Sequence, residues 1–251
     1  MKNYLLVVGV CLLVLTSTSL GDLVGHWTFD EGQGNIAYDS ASNNDGTITG
    51  ANWTTNGKNG GALSFDGNND YVQIPNNTNF NFQSGFSLCA WVKPALDYTD
   101  GRIIYRYDST SGDGYFLSQS KNNEGSFGLV TFLNNNDPCV ASDVHSVAGQ
   151  WTSVVGVREN NGDMKIYVDG ILQSFIRNHA GTIDSSGDLF IGVDYILQKD
   201  FNGLIDDVSI YNHALTSEEV TAIVPEPMSI VLLATGMIFL GKNNGRKSRL
   251  Q

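Results

Sequence analysis

Glu31, Glu124, Glu159, Glu218, Glu219 and Glu226 are the glutamates of this chain and its first candidates for acid–base chemistry. Carboxylate-driven hydrolysis needs an acid and a base or nucleophile held on one surface a few ångströms apart. None of the six falls within a central strand-like run, so no sheet sets two of them side by side. Asp206 and Asp207 are adjacent, and strand alternation predicts that they point to opposite faces. His26, His145, His179 and His213 show no metal-ligand spacing, and nucleophile-elbow, phosphate-loop and metal-hydrolase motifs are absent. Asp66-x-Asn68-x-Asp70 opens like a calcium loop, but Tyr71 stands where glycine is required and Asn77 where glutamate is. The residues argue against an enzyme. What remains is binding chemistry: Trp53, Tyr98, Tyr105, Tyr107, Tyr115 and Tyr195 could stack on sugar rings, with no basis for choosing among them.

Those side chains need strands to place them. Between 22 and 224, apolar runs rich in Val, Ile, Phe, Tyr and Trp alternate with Gly, Asn and Asp clusters. The pattern predicts strands at 23–29, 62–65, 71–74, 86–92, 102–107, 115–120, 126–132, 152–157, 164–168, 171–176, 189–193 and 203–211. Asn160-Asn161-Gly162-Asp163 and Asp169-Gly170 are tight-hairpin chemistry, because Asn, Asp and Gly tolerate positive φ. Thr216-Ser217-Glu218-Glu219 is a capping box that predicts a short surface helix to residue 223. No fixed-period repeat is present, and a dozen strands in about 200 residues make one all-β sandwich.

The two ends are addresses rather than fold. Lys2, an apolar run from Tyr4 to Leu15, and small residues at Ser19 and Gly21 form a secretory signal over 1–21, cleaved between Gly21 and Asp22. Cys11 leaves with it. Cys89 and Cys139 are then the remaining thiols; an oxidising compartment permits a disulfide between them, and Cys89 equally suits a small buried apolar position. At the other end, Val224-Pro225-Glu226-Pro227 precedes an apolar stretch, 228–241, and a basic cluster of Lys242, Arg246, Lys247 and Arg249. Fourteen residues make a helix of about 21 Å, short for a bilayer core of roughly 30 Å. The order of motif, apolar helix and basic end over 224–251 resembles the PEP-CTERM sorting signal of Gram-negative bacteria. That resemblance implies transient inner-membrane tethering, a membrane-bound processing enzyme as partner, and delivery to the cell surface or extracellular matrix. The formal charge is −12, but residues 22–224 hold nine basic against 25 acidic residues, a net of −16. Such a surface repels phosphate backbones, which excludes nucleic acid as a partner.

Within 22–223, several segments resemble laminin-G-like, concanavalin A-like jelly-rolls. Val24-Gly25-His26-Trp27-Thr28-Phe29-Asp30-Glu31-Gly32 is similar to the opening strand, and Ala62-Leu63-Ser64-Phe65-Asp66-Gly67 with Asp70-Tyr71-Val72 to a second landmark. Residues 86–94, 164–170 and 201–211 match the central strand, the hairpin and the closing strand. The resemblance implies a jelly-roll β-sandwich. It also implies a structural Ca²⁺ on Asp30, the Gly67 carbonyl and Asp206. Relatives that are laminarinases carry Glu-x-Asp-x-x-Glu on one strand, and that spacing is missing here. The expectation is an exported, non-catalytic module that binds polysaccharide or glycan. The rival readings are a structural matrix protein without a discrete ligand and a divergent glycoside hydrolase or lyase.

Overall fold

Alternation of inward apolar and outward side chains builds the molecule, and β7 (Phe86–Pro94) shows it plainly. Phe86, Leu88, Ala90 and Val92 point into the core, whereas Cys89 joins a separate apolar cluster on the outside. The computed structural model describes residues 22–97, 99–120, 125–176 and 180–224. The leader through Gly21, Tyr98, Glu124, His179 and the tail from Pro225, with Glu226 and Pro227, lie outside the described residues.

The remaining strands are β1 (Leu23–Trp27), β2 (Ile36–Ala37), β3 (Gly46–Thr49), β4 (Asn52–Thr54), β5 (Ala62–Asp66), β6 (Tyr71–Ile74), β8 (Gly101–Asp108) and β9 (Asp113–Ser120). They continue with β10 (Ser126–Phe132), β11 (Cys139–His145), β12 (Thr152–Arg158), β13 (Met164–Val168), β14 (Ile171–Ile176), β15 (Leu189–Ile191) and β16 (Asn202–Tyr211). The first sheet runs β14-β13-β12-β7-β16-β5-β4, with β1 also on β16; the second runs β11-β10-β9-β8-β15-β6-β3-β2. One core fills the space between them, from Trp27 and Phe65 through Phe86 and Leu88 to Leu117, Phe127 and Leu129. This is the jelly-roll β-sandwich expected. Asp169 and Gly170, at φ 49° and 76°, close the β13–β14 hairpin, as a two-residue turn between twisted strands requires.

β2, β3, β4 and β11 lie outside the expected set. The first three have two to four residues, too few to display a period. β11 buries only Val140 and Ser142 of its seven residues, so it carries no apolar signature. The helix α1 (Ser217–Ile223) forms behind the capping box: the Glu219 amide donates to Thr216 Oγ1 at 3.2 Å, and the Thr216 amide donates to Glu219 Oε2 at 2.8 Å. Its Val220, with Leu215, packs on Cys89, Val155, Val157 and Tyr167, covering part of the outer face of the first sheet. Among the described residues no helix is long and apolar enough to cross a membrane.

Candidate functional site

The outer face of the second sheet ought to be polar by the rule that made its inner face apolar. Instead, register lines up Val130, Phe116, Tyr105 and Phe190 as one outward row across β10, β9, β8 and β15. Two residues along, Phe132 and Tyr107 both oppose Gly114. With no side chain between them, their rings meet over the glycine at 4.9 Å between centroids. A Cβ at Gly114 would run into the Arg106 carbonyl and Tyr107 Cα.

Tyr195, from the loop after β15, completes the arrangement. It stacks on Tyr105 at 6.0 Å and leans on Tyr107 at 5.5 Å. Phe116 meets Tyr105 at 5.9 Å and Phe132 at 5.6 Å, so five aromatic rings form a closed circuit. Tyr71 extends it by packing edge-on against Phe190. Tyr105 and Phe116 are nearly enclosed, while Tyr195 is 44% exposed and forms the accessible lip. Polar groups ring this surface. The Arg102 guanidinium lies 4.1 Å over the Phe116 ring, and Asp100 accepts from Arg102 at 3.1 Å and from Lys199 at 2.5 Å. Tyr107 donates its hydroxyl proton to Asn135 Oδ1 at 2.7 Å. Burial pushes the Tyr105 phenol well above its usual value, with nearby Asp194 adding to the effect. The Tyr105 phenol is therefore uncharged at neutral pH. Flat apolar faces with hydrogen-bonding groups at the margin suit a ligand with one apolar and one polar aspect.

Of the six aromatics read from the sequence, Tyr105, Tyr107 and Tyr195 come together here. Tyr115 instead packs in the core against the stacked rings of Phe82 and Phe86. Trp53 sits on β4 and donates its indole N–H to the Gly34 carbonyl at 2.8 Å. Phe116, Phe132, Phe190, Tyr71 and Arg102 were not anticipated.

The expected ligand set Asp30, Gly67 and Asp206 is only partly assembled. Asp206 Oδ2 accepts the amides of Lys58 and Asn59 at 2.7 and 3.0 Å, and Asp30 Oδ1 accepts that of Gly61 at 2.6 Å. Both carboxylates thus grip the loop 57–61. Gly67 lies beyond the far end of β5, where Asp66 pairs Asn202, four residues along β16 from Asp206. At about 3.3 Å per residue it is well over 10 Å from the other two. No three His, Cys, Asp or Glu side chains converge on a metal position among the described residues. Yet Asp206 is fully buried and its Oδ1 has no partner, a feature that suits a hard cation and that Glu31 Oε2, next to Asp30, shares.

One expectation is corrected, and of the two readings of the cysteines the structure holds the unpaired one. Asp206 and Asp207 do not point apart: a bulge interrupts β16 after Asp206, Asp207 takes φ 47°, and both carboxylates reach Asn59. Cys89 and Cys139 are free thiols rather than a disulfide. Cys89 pairs Val155 on the outer face of the first sheet, and Cys139 pairs Val130 on the outer face of the second. The whole sandwich separates them, whereas a disulfide needs Cα atoms within about 7 Å.

The family model described as Concanavalin A-like lectin/glucanases superfamily, a laminin-G-type domain, matches residues 66–221. No curated protein matches the chain in sequence. Among solved structures, Domain 4 of AbnA, a GH43 extracellular arabinanase from Geobacillus stearothermophilus in complex with arabinotriose, superposes with TM-score 0.63 at 23% identity. That match covers 82% of this chain and 99% of the other. The binding domain of Paraclostridial Mosquitocidal Protein 1 gives 0.63 at 16% identity over 81% of this chain, and the Botulinum Neurotoxin serotype G binding domain 0.62 at 16% over 80%. This chain spans about half of each toxin domain, 52% and 50% respectively.

Proposed function

Because the chain belongs to the Concanavalin A-like lectin/glucanases superfamily, we propose that it is a non-catalytic module binding neutral polysaccharide or glycan on the outer face of its second sheet. The observation that carries this reading is the closed circuit of Tyr105, Phe116, Phe132, Tyr107 and Tyr195 on a face that strand alternation would otherwise make polar. Sugar rings offer an apolar C–H face to such a surface and hydroxyls to its polar margin. A neutral ligand fits better than an acidic one, because the two margin cations share Asp100 and residues 22–224 carry a net charge of −16. The arabinotriose held by the arabinanase domain supports a sugar ligand for this fold. The non-catalytic assignment is supported by the adjacent carboxylates of Asp206 and Asp207 being spent on holding loop 57–61.

A cation enters the proposal through Asp206, the one sequence-expected anchor with a buried, unengaged oxygen. Asp206 Oδ1 and Asp30 would hold Ca²⁺ at loop 57–61, with Gly67 left out; the ion would supply rigidity there and no chemistry. Export, membrane tethering through 224–251 and delivery to the surface or matrix complete the proposal.

The test is titration with neutral oligosaccharides, arabinotriose included. Covering about 60 Å² of one aromatic ring gains about 1.5 kcal/mol. Tyr195→Ala and Tyr107→Ala should therefore each weaken binding about tenfold. Undiminished binding by both variants would remove the platform from the reading.

A further inference from the structure

We infer a second glycan site on the opposite side of the molecule: a pocket for a single neutral sugar residue on the outer face of the first sheet. The inference rests on the glycan-binding reading of the platform and adds to it a separate location. The helix α1 covers Val155, Val157 and Tyr167, and its last residue, Ile223, forms one wall of the uncovered part of the face beside β1 and β16. There a cavity of about 290 Å³ remains, lined by Trp91, His26, Asp207, Ser153, Ser209 and Tyr211 among others. Its size is at the small end for ligand pockets, suited to one ring and not a chain.

The lining has the two halves that sugar recognition needs. Trp91 supplies the apolar wall, and Lys58 Nζ sits 4.2 Å from its ring centroid, so the indole is held from one side. Ser153 opposes Trp91 in register, and Ser209 opposes both His26 and Cys89, which sets two hydroxyls beside the ring on one surface. Neither hydroxyl bonds to the described protein, and neither is a sealed, unsatisfied group. Both serines are nearly buried and line the cavity wall, where a ligand in the cavity could reach their hydroxyls. His26 Nδ1 is 3.0 Å from Ser40 Oγ, whereas Nε2 stands 3.6 Å from Asp207 Oδ1, wider than a hydrogen bond. A ligand hydroxyl placed there could donate to Asp207 and pair with the imidazole at once. Asp207 also repels anions from the cavity, so an uncharged polyol ring is the fitting class.

The experiment uses the full-length chain and single sugars: glucose, galactose, arabinose and xylose at millimolar concentration, read by saturation-transfer NMR, beside the oligosaccharide titration. Ser209→Leu fills the cavity and should lower the single-sugar response at least tenfold while leaving oligosaccharide affinity unchanged. Asp207→Asn, which tolerates φ 47° and keeps an acceptor for Asn59, should lower it several-fold, so the result does not depend on Ser209→Leu folding. Tyr195→Ala should leave it intact. A single-sugar response lost in Tyr195→Ala and kept in Ser209→Leu and Asp207→Asn would overturn the pocket. Oligosaccharide binding without any single-sugar response would do the same and spare the platform. No binding of either kind would remove both readings.

Discussion

Asp206 has one oxygen engaged by two amides and one buried with nothing to accept from. Burial first, and the neighbouring Asp207 charge after it, push its carboxyl up to about 6. In the unfolded chain an aspartate titrates near 4. In calcium-free buffer the folded protein therefore takes up this proton at a higher pH than the unfolded chain does. The group's contribution to stability is complete below pH 4 and is lost as pH rises through 6. Thermal midpoints should rise between pH 7 and pH 5 by this route, and Asp206→Asn, which keeps an acceptor for Lys58 and Asn59, should flatten that slope. Millimolar Ca²⁺ at pH 7 should raise the parent midpoint and not that of Asp206→Asn. Identical responses of parent and variant would show that the orphan oxygen neither titrates nor binds an ion. The adjacency of Asp206 and Asp207 was plain in the sequence, but the bulge that turns both toward Asn59 was not. The positive φ of Asp207 arises inside a strand, at a bulge, where no local turn motif announces it.

At the level of elements, the platform hangs on one missing side chain. Gly114 lets Phe132 and Tyr107 meet, and any Cβ there meets backbone atoms of β8 that cannot rotate aside. Gly114→Ala should cost about 1–3 kcal/mol, the usual range for overpacking. In a domain of this size that is a fall of roughly 3–10 °C in the unfolding midpoint. Oligosaccharide binding should weaken with it, as β8 and β9 part under Tyr105 and Phe116. A variant of parental stability and affinity would show that the rings do not need this close approach. The strands themselves were legible because each carries its own period, and α1 because its cap is local, Thr216 to Glu219. The platform was not. Tyr105 and Tyr107, two apart on one strand, had to share a face, but Tyr115 joins the core because it opposes the buried Arg106. Whether Tyr115 or Phe116 sides with Tyr105 depends on the β8–β9 register, and register is set across a turn by contacts no single strand encodes. Apolar residues on both faces of β8, β9 and β10 were the available signal, since a solvent-facing sheet side is expected to be polar.

For the whole molecule, the two proposed sites lie on opposite outer faces of the sandwich, and Leu23 and Ile223, near the two expected cleavage points, line the second. The core runs from Val24 on β1 to Ile210 on β16, and Val224, just past α1, sits beside Gly170. At the start, the Asn212 amide donates to the Asp22 carbonyl at 3.1 Å, which fixes the first residue after the expected cleavage bond to the end of the closing strand. Removal of a signal up to Gly21 and of a tail beyond Val224 should therefore leave the sandwich folded, with Leu23 and Ile223 still lining the second proposed site. Residues 1–21 and 225–251 also hold five of the 14 basic residues, and their loss would raise the acidity of what remains. Mass spectrometry of the protein from its native cell envelope should find a chain that begins at Asp22 and ends at or near Pro225–Pro227. At roughly 110 Da per residue it would be about 5 kDa lighter than the 27.2 kDa precursor. A membrane-bound form that keeps the tail but lacks residues 1–21 is the expected intermediate. Recovery of only the intact 251-residue chain would overturn delivery by both ends while leaving the fold and the two binding surfaces to stand on their own tests.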